Sequence, residues 1–236
     1  MSSEWATFWK DQDDAFDSIM QINTEFFADQ LRKKYLIRPG MEILDYGCGP
    51  GLMIDVLAFD HKLTGVDING SFIGQCQLKH PKAQFIEISD DPETTKAILD
   101  ENLRGKQFDI VVALSILQYF QDLSQVEALL ALLNRLIKVN GKVILADVSD
   151  ENSNSMADAG SLLLWAFRKR KVRSFIGFIN YLMTSEYRKI SREHKLLMLS
   201  EGSVKDLALK TGFSVDVVNG LTIHPSRTNY VLTRTG

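Results

Sequence analysis

The chain has 236 residues, of which 45% are apolar and 24% charged, with a formal net charge of −3. That is long enough to bury a sizeable core and too near neutral for a nucleic-acid partner to be read from overall charge. Its two cysteines, Cys48 and Cys76, make no disulfide framework, no run reaches the roughly 18 apolar residues of a membrane span, and Met1 to Trp5 shows no signal-peptide pattern, so a cytoplasmic protein is expected.

Residues 4–37 are predicted to be helical, because Phe16, Ile19, Met20 and Ile22, then Phe26, Phe27, Leu31 and Tyr35, recur at three- and four-residue steps. Arg38-Pro39-Gly40 ends that segment. A strand over Ile43 to Tyr46 precedes a helix over Gly51 to Phe59, and a strand over Lys62 to Asp67 precedes a helix over Ser71 to Lys79. A third strand, Gln84 to Ile88, leads to a helix from Pro92 to about Leu103. Phe108 to Leu114 is apolar and β-branched apart from Asp109, as expected of a central strand covered on both faces. A helix carrying Val126, Leu129, Leu130, Leu133 and Leu136 follows, and Val139-Asn140-Gly141 turns into a fifth strand, Lys142 to Val148. This alternation predicts a parallel sheet with helices on both faces.

Regularity breaks at Ser149, and residues 149–202 read as helices only. A helix over Ser203 to Thr211 then leads to two strands, Phe213 to Ile223 and Thr228 to Thr235, joined by His224-Pro225-Ser226-Arg227. So short a link requires an antiparallel pair. The expected fold is α/β, a seven-stranded mostly parallel sheet with a C-terminal antiparallel hairpin and a helical cap.

Chemistry concentrates in Asp45-Tyr46-Gly47-Cys48-Gly49-Pro50-Gly51, where an acid ends a strand and three alternate glycines follow. Glycines there let the backbone bend and a ligand approach closely. Dinucleotide sites use G-x-G-x-x-G, but the third glycine here comes one residue early and Leu52 holds the dinucleotide position. Asp45 suits a cationic ligand better than a pyrophosphate.

Five elements in order then resemble the motifs of class I S-adenosylmethionine-dependent methyltransferases, over about residues 40–148. They are Asp45-x-Gly47-x-Gly49-x-Gly51, Gly65-Val66-Asp67-Ile68, Ile88-Ser89-Asp90-Asp91, Phe108 to Ala113, and Leu136 to Lys142. The resemblance implies a Rossmann-like fold in a single methyltransferase domain over 1–236, with a helical segment over 1–39 and a cap or substrate insert over 149–202. It implies S-adenosylmethionine as methyl donor and S-adenosylhomocysteine as product. Asp67 would accept the ribose hydroxyls, Asp45 would hold the α-ammonium, and the Gly47, Cys48, Gly49 and Gly51 loop would contact the amino-acid end. Asp90, with the Asp91 backbone beside it, would meet the adenine amino group, and Ile68 the adenine face, with Ala113 at the strand-four motif. Asp90 also suits a helix cap before Pro92, and Ile68 suits plain core packing. Cys48 reads as a small packing residue rather than a nucleophile.

The acceptor site is expected at the carboxyl edge of the strands. Gln118-Tyr119 stands where many small-molecule relatives carry His-His, which removes a ready imidazole. Candidate catalytic groups are therefore His224 and Tyr119, with Gln118, Arg227 and Trp9 as substrate contacts. Trp5, Phe8 and Trp9 form either a lid over the cofactor or a packed surface; His194 is a weaker candidate, and His61 and His80 fall on ordinary connections. Residues 162–179 mix apolar and basic side chains, Leu162 to Phe167, Arg168-Lys169-Arg170-Lys171, Arg173, and Phe175 to Ile179. Such a mixture fits a lipid-like substrate, a peripheral membrane surface or an acidic carrier, as well as a cap helix with a solvated basic face. The expected activity is methyl transfer to a small hydrophobic molecule, the acceptor atom (oxygen, nitrogen or carbon) left open, with no metal and no nucleic acid. The alternatives are a binder of the same cofactor without turnover and a nucleic-acid methyltransferase. Leu114-Ser115-Ile116-Leu117 lacks the Asn/Asp-Pro-Pro-aromatic signature of base amino methylation, and Leu52 disfavours a dinucleotide oxidoreductase.

Overall fold

A computed structural model describes residues 3–11, 17–34, 36–58, 61–184 and 186–235. Phe16, Tyr35 and Phe59 of the expected helices lie outside the described residues. Two N-terminal helices, α1 (Ser3–Lys10) and α2 (Asp17–Lys33), precede the alternating core. That core runs β1 (Glu42–Tyr46), α3 (Leu52–Leu57), β2 (Lys62–Asp67), α4 (Gly70–Lys79), β3 (Gln84–Glu87), α5 (Pro92–Leu103), β4 (Phe108–Leu114), α6 (Leu123–Leu136) and β5 (Ile137–Val148). Three helices follow, α7 (Ser155–Arg168), α8 (Val172–Thr184) and α9 (Glu186–Glu193), then α10 (Glu201–Lys210), β6 (Phe213–Val217) and β7 (Thr228–Arg234).

The seven strands form one sheet in the order β3-β2-β1-β4-β5-β7-β6. Pairings among β1 to β5 are parallel, and β7 runs antiparallel to both β5 and β6. Strands β1 to β6 therefore end at one edge. Chain order reverses between β1 and β4, which opens a crevice there. Helices on both faces explain why β4 is apolar from Ile110 to Leu114: Ile110 and Val112 pack into one layer, Phe108, Val111 and Ala113 into the other. A smaller cluster joins Ile19 and Ile22 of α2 to Leu162 and Ala166 of α7 and to Ile223.

Two expectations are corrected. The turn at Val139-Asn140-Gly141 lies inside β5 as a bulge: Phe108 pairs with Ile137 but Ile110 with Lys142, so β5 carries extra residues. Asn140 takes φ 62 there, and a Cβ on Gly141 would sit 2.9 Å from the Lys138 carbonyl. The strand expected to reach Ile223 stops at Val217. Gly220 turns the chain at φ 69, and Ile223 donates its N–H to Asn23 Oδ1 at 3.1 Å rather than to a strand. Leu221 and Ile223 are apolar because helices cover them, not because they pair in the sheet.

Leu130 of α6 is fully buried against the sheet. Leu130→Ala is expected to lower unfolding free energy by about 2–5 kcal/mol in a denaturant titration, because the helix and sheet close only partly over the void.

Candidate active site

A cavity of about 350 Å³ opens at the carboxyl edge of β1, β2 and β4, lined by Trp9, Gly47, Gly49, Asp67, Ile68, Asp90, Ser115 and Tyr119 among others. Its floor is the loop after β1. Gly47 and Cys48 both donate backbone N–H groups to the Val66 carbonyl, at 2.8 and 3.0 Å, which ties the loop to β2. Gly47, Gly49 and Gly51 have φ of 82, 50 and 82, a region that side chains resist. At Gly47 a Cβ would also come within 2.7 Å of Ile116 Cγ2, and at Gly51 within 2.8 Å of Cys76 Sγ.

Two carboxylates sit beneath this loop. Asp67 accepts N–H bonds from Gly49 at 2.8 Å and Asn69 at 2.9 Å. Burial still raises its pKa, outweighing those bonds. Asp45 is buried in β1, and burial together with the charge of Asp67 raises its carboxyl to about 7. Neither has a cationic side chain within ion-pairing distance among the described residues. Asp90 at the cavity rim pairs with Lys10 of α1 at 2.9 Å, while Asp91 caps α5 by accepting from Thr94 N–H. The capping role expected as an alternative for Asp90 thus falls to its neighbour. Ile68 lines the cavity, whereas Ala113 lies buried within β4, below Leu114 and Ser115, which do line it. The Cys48 thiol is buried; its hydrogen bond with Cys76 and the burial hold it well above the ordinary thiol range, so it is a neutral packing group.

Helix α1 covers one side. Asn69 caps α4 and donates its side-chain amide to the Trp9 carbonyl at 2.8 Å. Trp5 meets Tyr119 at a tilted angle and Trp9 meets it edge-on, with ring centroids 5.0 and 5.1 Å away, and Trp5 also meets Tyr187 of α9 at 5.3 Å. The N-terminal aromatics therefore form a wall shared with α9, and Trp9 faces the cavity. Burial pushes the Tyr119 hydroxyl well above its ordinary value, so it is a hydrogen-bond donor rather than a base.

Behind Ser115 lies an arrangement not anticipated from the sequence. Ser115 ends β4 at φ 58 and Asp147 lies near the end of β5 at φ 62, both left-handed non-glycine residues. The Ser115 hydroxyl donates to Asp147 Oδ2 at 2.6 Å, and His224 Nδ1 bonds Asp147 Oδ1 at 2.7 Å. Desolvation favours neutral His224, but the charge and hydrogen bond of Asp147 outweigh it and raise the imidazole pKa. Burial correspondingly favours protonated Asp147, yet His224, the Ser115 bond and Arg227 hold its pKa low. The serine bonds the carboxylate and not the imidazole, so this is no nucleophilic triad. The available signal was an acid inside the apolar run Val143-Ile144-Leu145-Ala146-Asp147-Val148, at a strand end.

Arg227 does not stand free as an anion clamp: its Nε pairs with Asp158 of α7 at 2.9 Å. Asp158 also accepts from Ser226 N–H and hydroxyl, at 3.1 and 2.8 Å. Gln118 is buried and donates its amide to the Ser115 carbonyl at 2.7 Å. His224, Arg227 and Gln118 thus surround Ser115 and Asp147 rather than line the main cavity. His194 lies 3.7 Å from Glu4, and His80 pairs with Asp55, both away from this cluster.

The glycine loop, the ordered carboxylates and the strand order are those of a methyltransferase-type fold. The family profile described as "Methyltransferase domain" matches residues 16–216, and the chain belongs to that family as an S-adenosylmethionine-dependent methyltransferase. It is 24% identical over 230 residues to a ubiquinone biosynthesis O-methyltransferase of Pseudomonas putida (strain ATCC 700007), covering 95% of this chain and 85% of that one. A ribosomal RNA large subunit methyltransferase E of Desulfatibacillum aliphaticivorans is 30% identical over 112 residues, covering 44% of this chain and 51% of the other. The fold resembles the crystal structure of magnesium protoporphyrin IX methyltransferase from Synechocystis PCC 6803 with bound S-adenosylhomocysteine. The TM-score is 0.57 at 17% identity, with 98% of this chain and 93% of that one covered.

Gly47→Ala is expected to weaken S-adenosylmethionine binding at least roughly tenfold by calorimetry, about 1.4 kcal/mol, because the loop must shift to relieve both the φ and the Ile116 clash. Unchanged affinity would show that the loop tolerates a side chain there.

Proposed function

We propose that the protein methylates a hydroxyl group of a small, hydrophobic acceptor, with His224 as general base. The observation that carries this reading is the hydrogen bond from His224 to a buried Asp147, held where two strained strand ends meet. Support also comes from the Pseudomonas relative, whose name specifies O-methylation.

S-adenosylmethionine supplies an electrophilic methyl on a sulfonium. On this reading Asp67 accepts the ribose hydroxyls, Asp45 takes the α-ammonium, Asp90 accepts from the adenine amino group, and Ile68 packs on its face. The fit rests on the two buried carboxylates lacking a cationic partner and on the left-handed glycine loop, where a Cβ on Gly47 or Gly51 would clash. The acceptor lies between the Ser115–Tyr119 wall and the loop carrying His224. Asp147 orients the imidazole through Nδ1 and leaves Nε2 to hold the hydroxyl proton, while the bound cofactor would supply the methyl group and leave as the neutral thioether S-adenosylhomocysteine. Tyr119, whose hydroxyl bonds Tyr187, walls the acceptor side. Trp9 and Tyr119 shield the reacting centre from water, so the protein's main contribution is alignment.

With labelled S-adenosylmethionine and a cell extract, label is expected in an organic-extractable small-molecule fraction; label in RNA alone would overturn the acceptor class. With the acceptor found, His224→Ala should cut kcat by about 10²–10⁴-fold while leaving cofactor affinity intact. Since the base must be neutral, the rate should rise with pH through a limb above the ordinary imidazole value of 6.5. Asp147→Asn removes the charge that raises it, so the limb should move to lower pH. A limb that stays in place would show that Asp147 does not act through His224.

A further inference from the structure

Helices α7 and α8 expose an apolar stripe with a basic collar that the catalytic reading does not use. On α7, Leu162 and Ala166 turn inward, whereas Met156 and Phe167 are 86% and 72% exposed, and Leu163 is exposed between them. On α8, Ile176 is 61% exposed, and Met183 is exposed further along the helix. These side chains meet solvent on helices whose other side already packs on α2. Five bases, Arg168, Lys169, Arg170, Lys171 and Arg173, crowd the junction of the two helices in a chain whose net charge is −3. Three of them are engaged: Lys169 with Glu25 at 2.8 Å, Lys171 with Gln21 at 2.7 Å, and Arg168 over the Trp165 ring. Arg170 and Arg173 have no acidic partner among the described residues.

We propose that this face docks the protein onto an anionic lipid surface, with Phe167 and Ile176 in the acyl boundary and Arg170 and Arg173 on the headgroups. An apolar stripe rimmed by cations is the pattern of a helix lying in a bilayer interface. Charge selects the occupant: a second copy docked face to face would set one basic collar against another, whereas anionic headgroups neutralise it. No described helix is long and apolar enough to cross a membrane, so contact is peripheral. The surface is coupled to the active site, since Asp158 of α7 holds Ser226 and Arg227 beside His224 and the Ser161 hydroxyl donates to the Ile223 carbonyl. Docking therefore presents the acceptor loop near the bilayer. The proposal does not depend on which acceptor is methylated.

Flotation of the full chain with vesicles of phosphatidylcholine alone, and with about a third phosphatidylglycerol, tests it. Binding is expected only to the anionic vesicles and should fall as salt is raised. Arg170→Gln with Arg173→Gln should weaken it about tenfold or more, and Phe167→Glu with Ile176→Glu should remove it. Both pairs lie away from the cofactor, so S-adenosylmethionine affinity by calorimetry should be unchanged, which also separates failure of docking from failure of the enzyme. No flotation of the wild type, or equal flotation of wild type and both variants, overturns the proposal. So does a wild-type dimer by light scattering that Phe167→Glu alone converts to monomer, because the face would then belong to a second copy.

Discussion

The site depends on uncompensated negative charge held under a loop that has no side chains to spare. Asp45 and Asp67 lie on adjacent strands near one edge; burial raises both carboxyls, and the charge of Asp67 raises Asp45 further. A protein cation beside them would relieve that cost, and the described residues supply none. Three left-handed glycines let the backbone pass over the carboxylates without filling the space above them. On the proposed assignment, a ligand bearing both an ammonium and a sulfonium offers the missing countercharge. A dinucleotide, with its pyrophosphate, would add to the repulsion. On the proposed assignment these electrostatics discriminate among nucleoside-like ligands.

The second constraint is topological. Because β1 to β6 all end at one edge, residues far apart in sequence arrive together: Ser115 after β4, Asp147 near the end of β5 and His224 in the loop after β6. Two neighbouring non-glycine residues in the left-handed region are expensive, of order 1–3 kcal/mol each. Here they are held by a short hydroxyl–carboxylate bond and by the Asp147 N–H bond to Asn229 Oδ1 at 2.9 Å. Strain at that edge turns the Asp147 carboxylate out of the β5 ladder toward Ser115 and His224, where a regular strand would have continued its pairing with β7.

Much of this was legible from the chain alone, and the parts that were not share a cause. Lys62–Asp67, Pro92–Leu103 and Phe108–Leu114 are bounded as expected because local signals mark them: Lys62 and Pro92 open the first two, Gly70 and Gly105 follow soon after them, and the third is apolar from Ile110 to Leu114. The glycine loop was legible for the same reason. Local apolarity misled at Leu221 and Ile223, which read as strand but are covered by α2, α3 and α7 in a loop. Pairing across the sheet, not composition, decides that case. The Asp147–His224 bond spans 77 residues and the Asp158–Arg227 pair 69, so no window along the chain contains either. The histidine was visible as a candidate, but its partner and the engagement of Arg227 by α7 were not.

Helix α1 sharpens what binding must do. Its Lys10–Asp90 pair is exposed on both sides, and such pairs contribute only about 0–1 kcal/mol. On the proposed assignment, adenine's amino group takes the place of Lys10 at Asp90. The ion pair given up is weak, and the adenine ring that replaces it buries its face on Ile68. The Asn69–Trp9 bond and the Trp5–Trp9–Tyr119 wall do not involve Asp90. Release of Lys10 therefore leaves this end of α1 held by the Asn69–Trp9 bond and the aromatic wall. Lys10 and Trp9 are neighbours at the same end of the helix, so the polar contact exchanged at Asp90 and the aromatic wall on the acceptor side draw on adjacent but different side chains.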